Sequence, residues 1–273
     1  MTDAECVAFL QWALPQLGLR WSGFRKVRRQ VCKRIARRLR DLGLGDLSAY
    51  RSRLAQDRDE WIALESFCHI PISRFWRDRG VFDHLANTVL PRLAAEAAAQ
   101  AEPRLRIWSA GCASGEEPYS LAIAFMLGPA RSSGVVLDIL ATDADEILLD
   151  RARRGVYGAG SLKDLPETFR AAAFDKDGSL YRLRPAFRAG VTLRCEDIRR
   201  LMPQGPFDLV LCRNLVFTYF DASLQRGFLA KFAACVRHGG VFVIGAHEKL
   251  PGDAPGFLPE PGAPGIYRRS EAV

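Results

Sequence analysis

Residues 109–120 read SAGCASGEEPYS, directly after the apolar run LRIWS at 105–109. Gly111 and Gly115 let the backbone bend sharply and approach a ligand with no Cβ in the way. Such a turn at the carboxyl end of a parallel strand is where doubly wound folds hold nucleotides. The spacing is G-x-x-x-G rather than G-x-G-x-x-G, and no lysine follows the glycines as in a P-loop. Two carboxylates, Glu116 and Glu117, stand at the helix start and would repel a pyrophosphate, so a cationic ligand such as a sulfonium with an amino group suits them better. On this turn alone, a plain strand-to-helix turn with acidic residues complementing the helix dipole explains the residues equally well.

Three further places break the tie. LATDAD (140–145) ends an apolar run on Asp143, which can accept both hydrogen bonds of an adenosine ribose. CEDI (195–198) offers Asp197 as an acceptor for an adenine amino group, and FDLVLCRN (207–214) ends a buried run on the polar Asn214. An Asp or Asn at a strand end is usually a turn former. Four such places in the proper order are hard to explain that way.

The elements that must position these residues follow from the spacing of apolar residues. From about residue 104, short apolar runs (LRIWS, VVLDILAT, DLVLC, VFVIGA) alternate with helical stretches, which predicts a parallel sheet covered on both faces. SLYRLRP (179–185) and AGVTLRC (189–195) have no helix between them, so a small antiparallel pair is expected there, in an insertion near 174–195. Residues 1–95 read as a separate helical domain, and 96–273 as the sheet domain. In the former, Phe24, Val27, Val31, Ile35 and Leu39 form one apolar stripe, with Arg25, Arg28, Arg29, Lys33, Arg37 and Arg40 off it. The Gly/Pro-rich tail at 251–265 has no assigned place.

Composition narrows the class. The chain has 273 residues and a net charge of +8, and ten of its Lys and Arg lie between Arg20 and Arg40 with no Asp or Glu among them. That local excess points to an acidic partner. No stretch reaches the roughly 18 apolar residues that span a bilayer, and MTDAECVAFL lacks the pattern of a secretory signal, so a cytoplasmic chain is expected. Seven cysteines without a C-x-x-C pair read as reduced, mostly buried small hydrophobes, and the four histidines lack ligand spacing, so no metal is implied.

These motifs resemble the CheR chemotaxis receptor methyltransferases, which methylate glutamate side chains. The resemblance runs from about residue 25 to Tyr267. It rests on RDRGVFDHLANTVLPRL (77–93), LRIWSAGCASGEEPYSLAI (105–123), ILATDADEILLDRARRGVY (139–157), GPFDLVLCRN with YFD (205–221) and HGGVFVIGAHE (238–248). It implies a Rossmann-like α/β methyltransferase sheet, an N-terminal all-helical domain, a small antiparallel β subdomain, and S-adenosylmethionine as cofactor. By the same resemblance Glu116 contacts the cofactor, Asp143 binds the ribose, Asp197 and Ile198 lie against the adenine, and Asn214 and Leu215 line the pocket. The family's Asn-x-Thr-x-Phe-Phe-Arg motif, which closes over the cofactor, matches as Pro71, Ser73, Phe75, Trp76 and Arg77. Three departures stand out: Pro71 for the Asn, one extra residue in CRNLVFTYFD, and His-Glu where the family has Ser-Glu.

The chemistry expected is in-line displacement at a sulfonium by a carboxylate. With a pKa near 4, that group is already ionised at neutral pH and needs no general base. Catalysis can then rest on alignment and desolvation. Arg77 or Arg213 is expected to orient the acceptor, with Tyr219 as a pocket-lining hydroxyl. The Arg25–Arg40 helix is expected to dock an acidic helical protein, with the protein a monomer. Three other readings stay open: a different acid or protein as acceptor, a cofactor-binding sensor, and a nucleic-acid enzyme. The last is disfavoured because the basic stripe lacks interleaved aromatics.

Overall fold

The computed structural model describes residues 1–252 and 254–270 and divides into two compact units, Met1–Pro71 with Thr218–Gln225, and Ile72–Phe217 with Arg226 onward. The helical unit contains α1 (Asp3–Gln16), α2 (Trp21–Phe24), α3 (Arg28–Asp41), α4 (Leu47–Gln56) and α5 (Arg58–Phe67). Thr2 and Glu5 form a reciprocal capping box at the start of α1, while Asp46 and Asp57 cap α4 and α5. The predicted stripe of α3 is buried at Val31, Ile35 and Leu39, and Phe24 is buried ahead of it.

Its basic residues divide by direction. Arg34 donates to the carbonyls of Phe67 and His69, Arg28 pairs with Asp3, and Arg38 forms a two-point pair with Glu60 at 3.0 and 2.7 Å. Arg25, Lys26, Arg29, Lys33, Arg37 and Arg40 remain exposed. Glu60 is buried and also accepts from the Tyr50 hydroxyl at 2.7 Å. Burial alone would raise its pKa, but the Arg38 and Tyr50 hydrogen bonds outweigh that and hold it below the ordinary value. The stabilisation is therefore present above the unfolded pKa of about 4.3 and lost as pH falls through the lower folded value. Glu60→Gln should cost about 1–3 kcal/mol near neutral pH. Thermal melts from pH 7 to pH 3 should show the variant and parent converging at the acid end.

Two expectations are corrected in this unit. Cys6 and Cys32 are bonded to each other, so the cysteines are not all reduced. Their 26-residue separation conceals that α1 and α3 bring the two Cα atoms to 6.0 Å. The domain boundary lies at 71 rather than 95. Phe75, Phe82, Leu85, Val89, Leu93 and Ala97 share a core with Leu105, Ile107 and Leu121 of the sheet unit, so the 72–98 segment belongs there.

The sheet unit opens with α6 (Arg79–His84), a π-helical turn at Leu85–Val89, and α7 (Leu90–Ala98). The chain then alternates β1 (Arg104–Ala110), α8 (Glu116–Leu127), β2 (Val136–Asp143), α9 (Glu146–Arg154), β3 (Val156–Gly158), α10 (Glu167–Ala173), β4 (Phe174–Asp177), β5 (Leu180–Leu183), β6 (Val191–Cys195) and β7 (Phe207–Leu211). After α11 (Val216–Tyr219) and α12 (Ala222–Cys235) come β8 (Val236–Val243), β9 (Phe257–Pro259) and β10 (Ile266–Arg269).

The main sheet has the order β6-β2-β1-β7-β8-β10-β9, parallel from β6 to β8. Ile107 to Ala110 of β1 and Leu209 to Leu211 of β7 are buried without alternation, as both-face coverage requires. The tail closes the sheet edge with the antiparallel β10 and β9. A third correction concerns the small sheet, whose order is β3-β5-β4. The stretch 189–195 is not an antiparallel partner of 179–185, because as β6 it runs parallel to β2 at the edge of the main sheet. Local spacing shows that no helix intervenes, but not that the chain crosses to a different sheet.

Candidate functional site

The order of the strands reverses at β1: β2 and β6 extend to one side, β7 and β8 to the other. A crevice opens at such a switch point, at the carboxyl ends of the strands. The register places the sequence-predicted residues along that edge. Asp143 pairs with Cys195, Ala110 with Thr142, Ser109 with Leu211, and Leu211 with Val243. The residues that follow each strand, Gly111, Asp197, Ile198, Asn214 and Leu215, therefore emerge on one rim.

Gly111 and Cys112 donate their amides to the Thr142 carbonyl, which draws the glycine turn against the end of β2. Gly111 has φ +75°, and a Cβ there would meet Leu215 Cδ2 at 2.7 Å. Gly115 (φ +89°) caps α8, where a Cβ would strike Tyr119 at 2.7 Å and Ala152 at 2.8 Å. Glu116 is buried and accepts from Ser114 Oγ at 2.9 Å. Asp143 accepts from the amides of Ala113 (2.8 Å) and Asp145 (3.0 Å), so the carboxylate shapes the loop opposite it.

Asp197 accepts from the Arg199 amide and guanidinium, and Ile198 is buried beside it. Burial would raise the Asp197 carboxyl, but these Arg199 hydrogen bonds hold it below the usual carboxylate range. It is an anion at neutral pH. Burial pushes the Cys112 and Cys212 thiols well above their ordinary value, so neither supplies a thiolate nucleophile.

Arg213 lies at the end of β7 with its side chain 2 % exposed. It donates to Glu117 at 3.0 Å, to Asp78 at 2.7 Å and to the Arg77 carbonyl at 2.8 Å. Ser109 Oγ supports Glu117 at 2.8 Å. This guanidinium, expected to orient an acceptor, instead ties the 72–78 segment to α8 and β7. Arg77 is half-buried on that segment and donates to the Ile72 carbonyl, and Ser73 is half-buried nearby in the chain. Tyr219 belongs to the helical unit, where its ring centroid is 4.9 Å from that of Phe24.

Glu248 was missed by the sequence reading. It is buried, and one oxygen accepts from the amides of Asn214 (2.8 Å) and Gly245 (2.6 Å), pinning the end of β7 to the end of β8. Asn214 is left-handed at φ 56°, and its buried Oδ1 has no hydrogen-bond partner among the described residues. A buried acceptor in this position can take a donor from a ligand. A Cβ at Gly245 would collide with the Asn214 amide. The sequence signal for Glu248 was the His-Glu that closes HGGVFVIGAHE, which matches the family's Ser-Glu without saying what the carboxylate holds.

The donors and acceptors on this rim fit a nucleoside carrying a cationic group. Asp143 can take hydroxyl donors, Asp197 and the Asn214 Oδ1 can take N–H donors, and Glu116 suits positive charge.

Comparison with known proteins agrees. Residues 72–261 match the family model described as "CheR methyltransferase, SAM binding domain". A chemotaxis protein methyltransferase of Listeria innocua is 39% identical over 193 residues, covering 70% of this chain and 69% of that protein. The chemotaxis protein methyltransferase of Salmonella typhimurium is 32% identical over 235 residues, covering 82% of this chain and 76% of that protein. The protein of that name from Escherichia coli is 32% identical over 233 residues, covering 82% and 77%.

Proposed function

This chain belongs to the CheR methyltransferase family and is an S-adenosylmethionine-dependent methyltransferase, and on that premise we propose that it forms a methyl ester on a glutamate side chain of an acidic, helical, receptor-like protein. The observation that carries the acceptor reading is the exposed basic surface formed by Arg25 and Lys26 ahead of α3 and by Arg29, Lys33, Arg37 and Arg40 on it, with no acidic residue between 20 and 40 and Asp41 4.0 Å from Arg37. Such a face steers an anionic protein by long-range attraction.

When bound, S-adenosylmethionine supplies an electrophilic methyl group on a positively charged sulfur. In this reading Asp143 holds the ribose hydroxyls, Asp197 and Ile198 meet the adenine, and Asn214 and Leu215 line the pocket between them. Gly111 admits the ligand to the backbone, Glu116 receives the amino-acid end, and Ser73 covers it. Arg77 orients the acceptor carboxylate by two-point hydrogen bonding. Arg213 and Glu117 are positioning residues, keeping the 72–78 segment against the strand ends. An ionised carboxylate attacks without a proton to lose, so no residue need act as base. The reading places a monomer in the cytoplasm, where the Cys6–Cys32 pair meets a reducing thiol pool. Among the described residues, no helix is long and apolar enough to cross a membrane.

The test is to incubate the protein with methyl-labelled S-adenosylmethionine and a chemoreceptor cytoplasmic domain. Base-labile label on the protein band is expected. Label confined to a small-molecule fraction would replace the acceptor by a free acid and leave the methyltransferase intact. The α3 face has its own test. Arg29→Glu, Lys33→Glu and Arg37→Glu combined should lower protein methylation by roughly ten-fold or more with cofactor affinity unchanged. Equal turnover in the triple variant would remove docking from the account.

A further inference from the structure

A cavity of about 430 Å³ lies within the sheet unit at the opposite end of α8 from Glu116. With 12 residues in α8, that end is about 18 Å along the helix axis from the cofactor crevice. The volume is within the range of small-molecule sites, and nothing in the methyl-transfer reading uses it.

Its lining has one electrostatic sign. Among the described residues Asp83 is the only ionisable side chain in the wall, and Leu127 with Gly128 brings in the carboxyl end of α8, which carries partial negative charge. Phe169 adds a partly exposed aromatic ring, whose face attracts cations, and the buried Trp76 lies behind it with centroids 5.4 Å apart. The remaining wall is Ala86, Asn87 and two prolines, apolar apart from one amide.

The Asp83 carboxylate is held in place. Oδ1 accepts from the Trp76 indole N–H at 2.8 Å. Arg79 lies 3.6 Å from Oδ2, but its own side chain is 72 % exposed, so this pair is weak and can yield to a better-placed cation. Ala86 and Asn87 reach the wall from the π-helical turn, an irregularity that recurs at functional sites.

We propose that this cavity binds a small, freely diffusing organic cation: a primary ammonium on a short apolar or aromatic body. The ammonium sits between Asp83 and the end of α8, and the body lies against Phe169 and the prolines, with Trp76 behind Asp83. The site is connected to the crevice through protein groups. Trp76 donates its amide to Ser120 Oγ at 3.0 Å, and Ser120 donates to the Glu116 carbonyl at 2.6 Å. Trp76 also directly precedes Arg77 and Asp78, so a ligand against it steadies the clamped segment.

The experiment is done without S-adenosylmethionine, so its outcome is independent of the methyl-transfer reading. The ¹H–¹⁵N indole signal of Trp76, assigned through Trp76→Phe, is followed during titration with 2-phenylethylammonium chloride and with 2-phenylethanol at matched chloride. A saturable shift with the ammonium is expected, with the neutral alcohol about ten-fold weaker or more. Asp83→Asn keeps an acceptor for the indole and should lose about ten-fold in ammonium affinity, with the alcohol unaffected. Equal binding of alcohol and ammonium, an undiminished affinity in Asp83→Asn, or no saturable change at millimolar ammonium would each overturn the proposal. The alcohol comparison uses the unmodified protein, so it decides the question even if the variant folds poorly.

Discussion

Asp143→Asn is expected to weaken S-adenosylmethionine binding by about a hundred-fold, and Asp143→Ala by more. Hydrogen bonds to a charged acceptor contribute about 1.5–3 kcal/mol each, and two ribose hydroxyls would lose theirs. The side chain has a second role, because it accepts from the amides of Ala113 and Asp145. An asparagine in its place must turn its NH₂ towards one of those N–H groups. The loop carrying Gly111 and Gly115 then loses part of its support along with the sugar contact. Titration calorimetry with S-adenosylmethionine and with the demethylated product should show the same loss for both ligands, since the ribose is common to them. Unchanged affinity in a folded Asp143→Asn protein would remove the crevice from the account.

Arg213→Met should destabilise the protein by about 3–5 kcal/mol, the range found when one partner of a buried ion pair is deleted. The methionine fills much of the volume, but Glu117 and Asp78 are left facing each other without a cation between them. At roughly 2–4 °C per kcal/mol for a unit of this size, the melting temperature should fall by on the order of 10 °C. Arg213→Lys should land between parent and Met, because an ammonium cannot reach all three acceptors in the planar geometry that the guanidinium uses. Adding Glu117→Gln to Arg213→Met should recover part of the loss by removing one stranded charge. Calorimetric melts of the four proteins measure this, and no recovery in the double variant would mean that the clamp is not electrostatic.

The parts of the site that lie next to a strand end were legible in the sequence; the parts that depend on which strands become neighbours were not. Gly111, Glu116, Asp143, Asp197 and Asn214 each follow a compact apolar run, and a parallel sheet brings such positions to one edge by its register alone. Arg213 also follows a strand, but its partners Asp78 and Glu117 lie more than ninety residues away in sequence. Spacing therefore left it free to be read as a substrate-binding group. Glu248 was marked only as the end of a family motif, for a related reason: its acceptor role exists only once β7 and β8 pair. The same limit explains β6, whose alternation is that of any strand and does not tell which sheet it joins. The Cys6–Cys32 bond depends on helix packing, which an apolar stripe implies without saying what faces it.

The division of the chain has a consequence for modular exchange. Residues 218–225 return to the helical unit late in the sequence, where Leu19 bridges to Phe220, Arg20 donates to the Thr218 carbonyl, and Phe24 lies against Tyr219. A swap of the first 71 residues for those of another family member transfers only part of a packing unit. The incoming helices would meet a foreign octapeptide, and the departing ones would leave their own behind. Recombination in this fold therefore calls for two cut-out pieces moved together, the long leading one and the short late one.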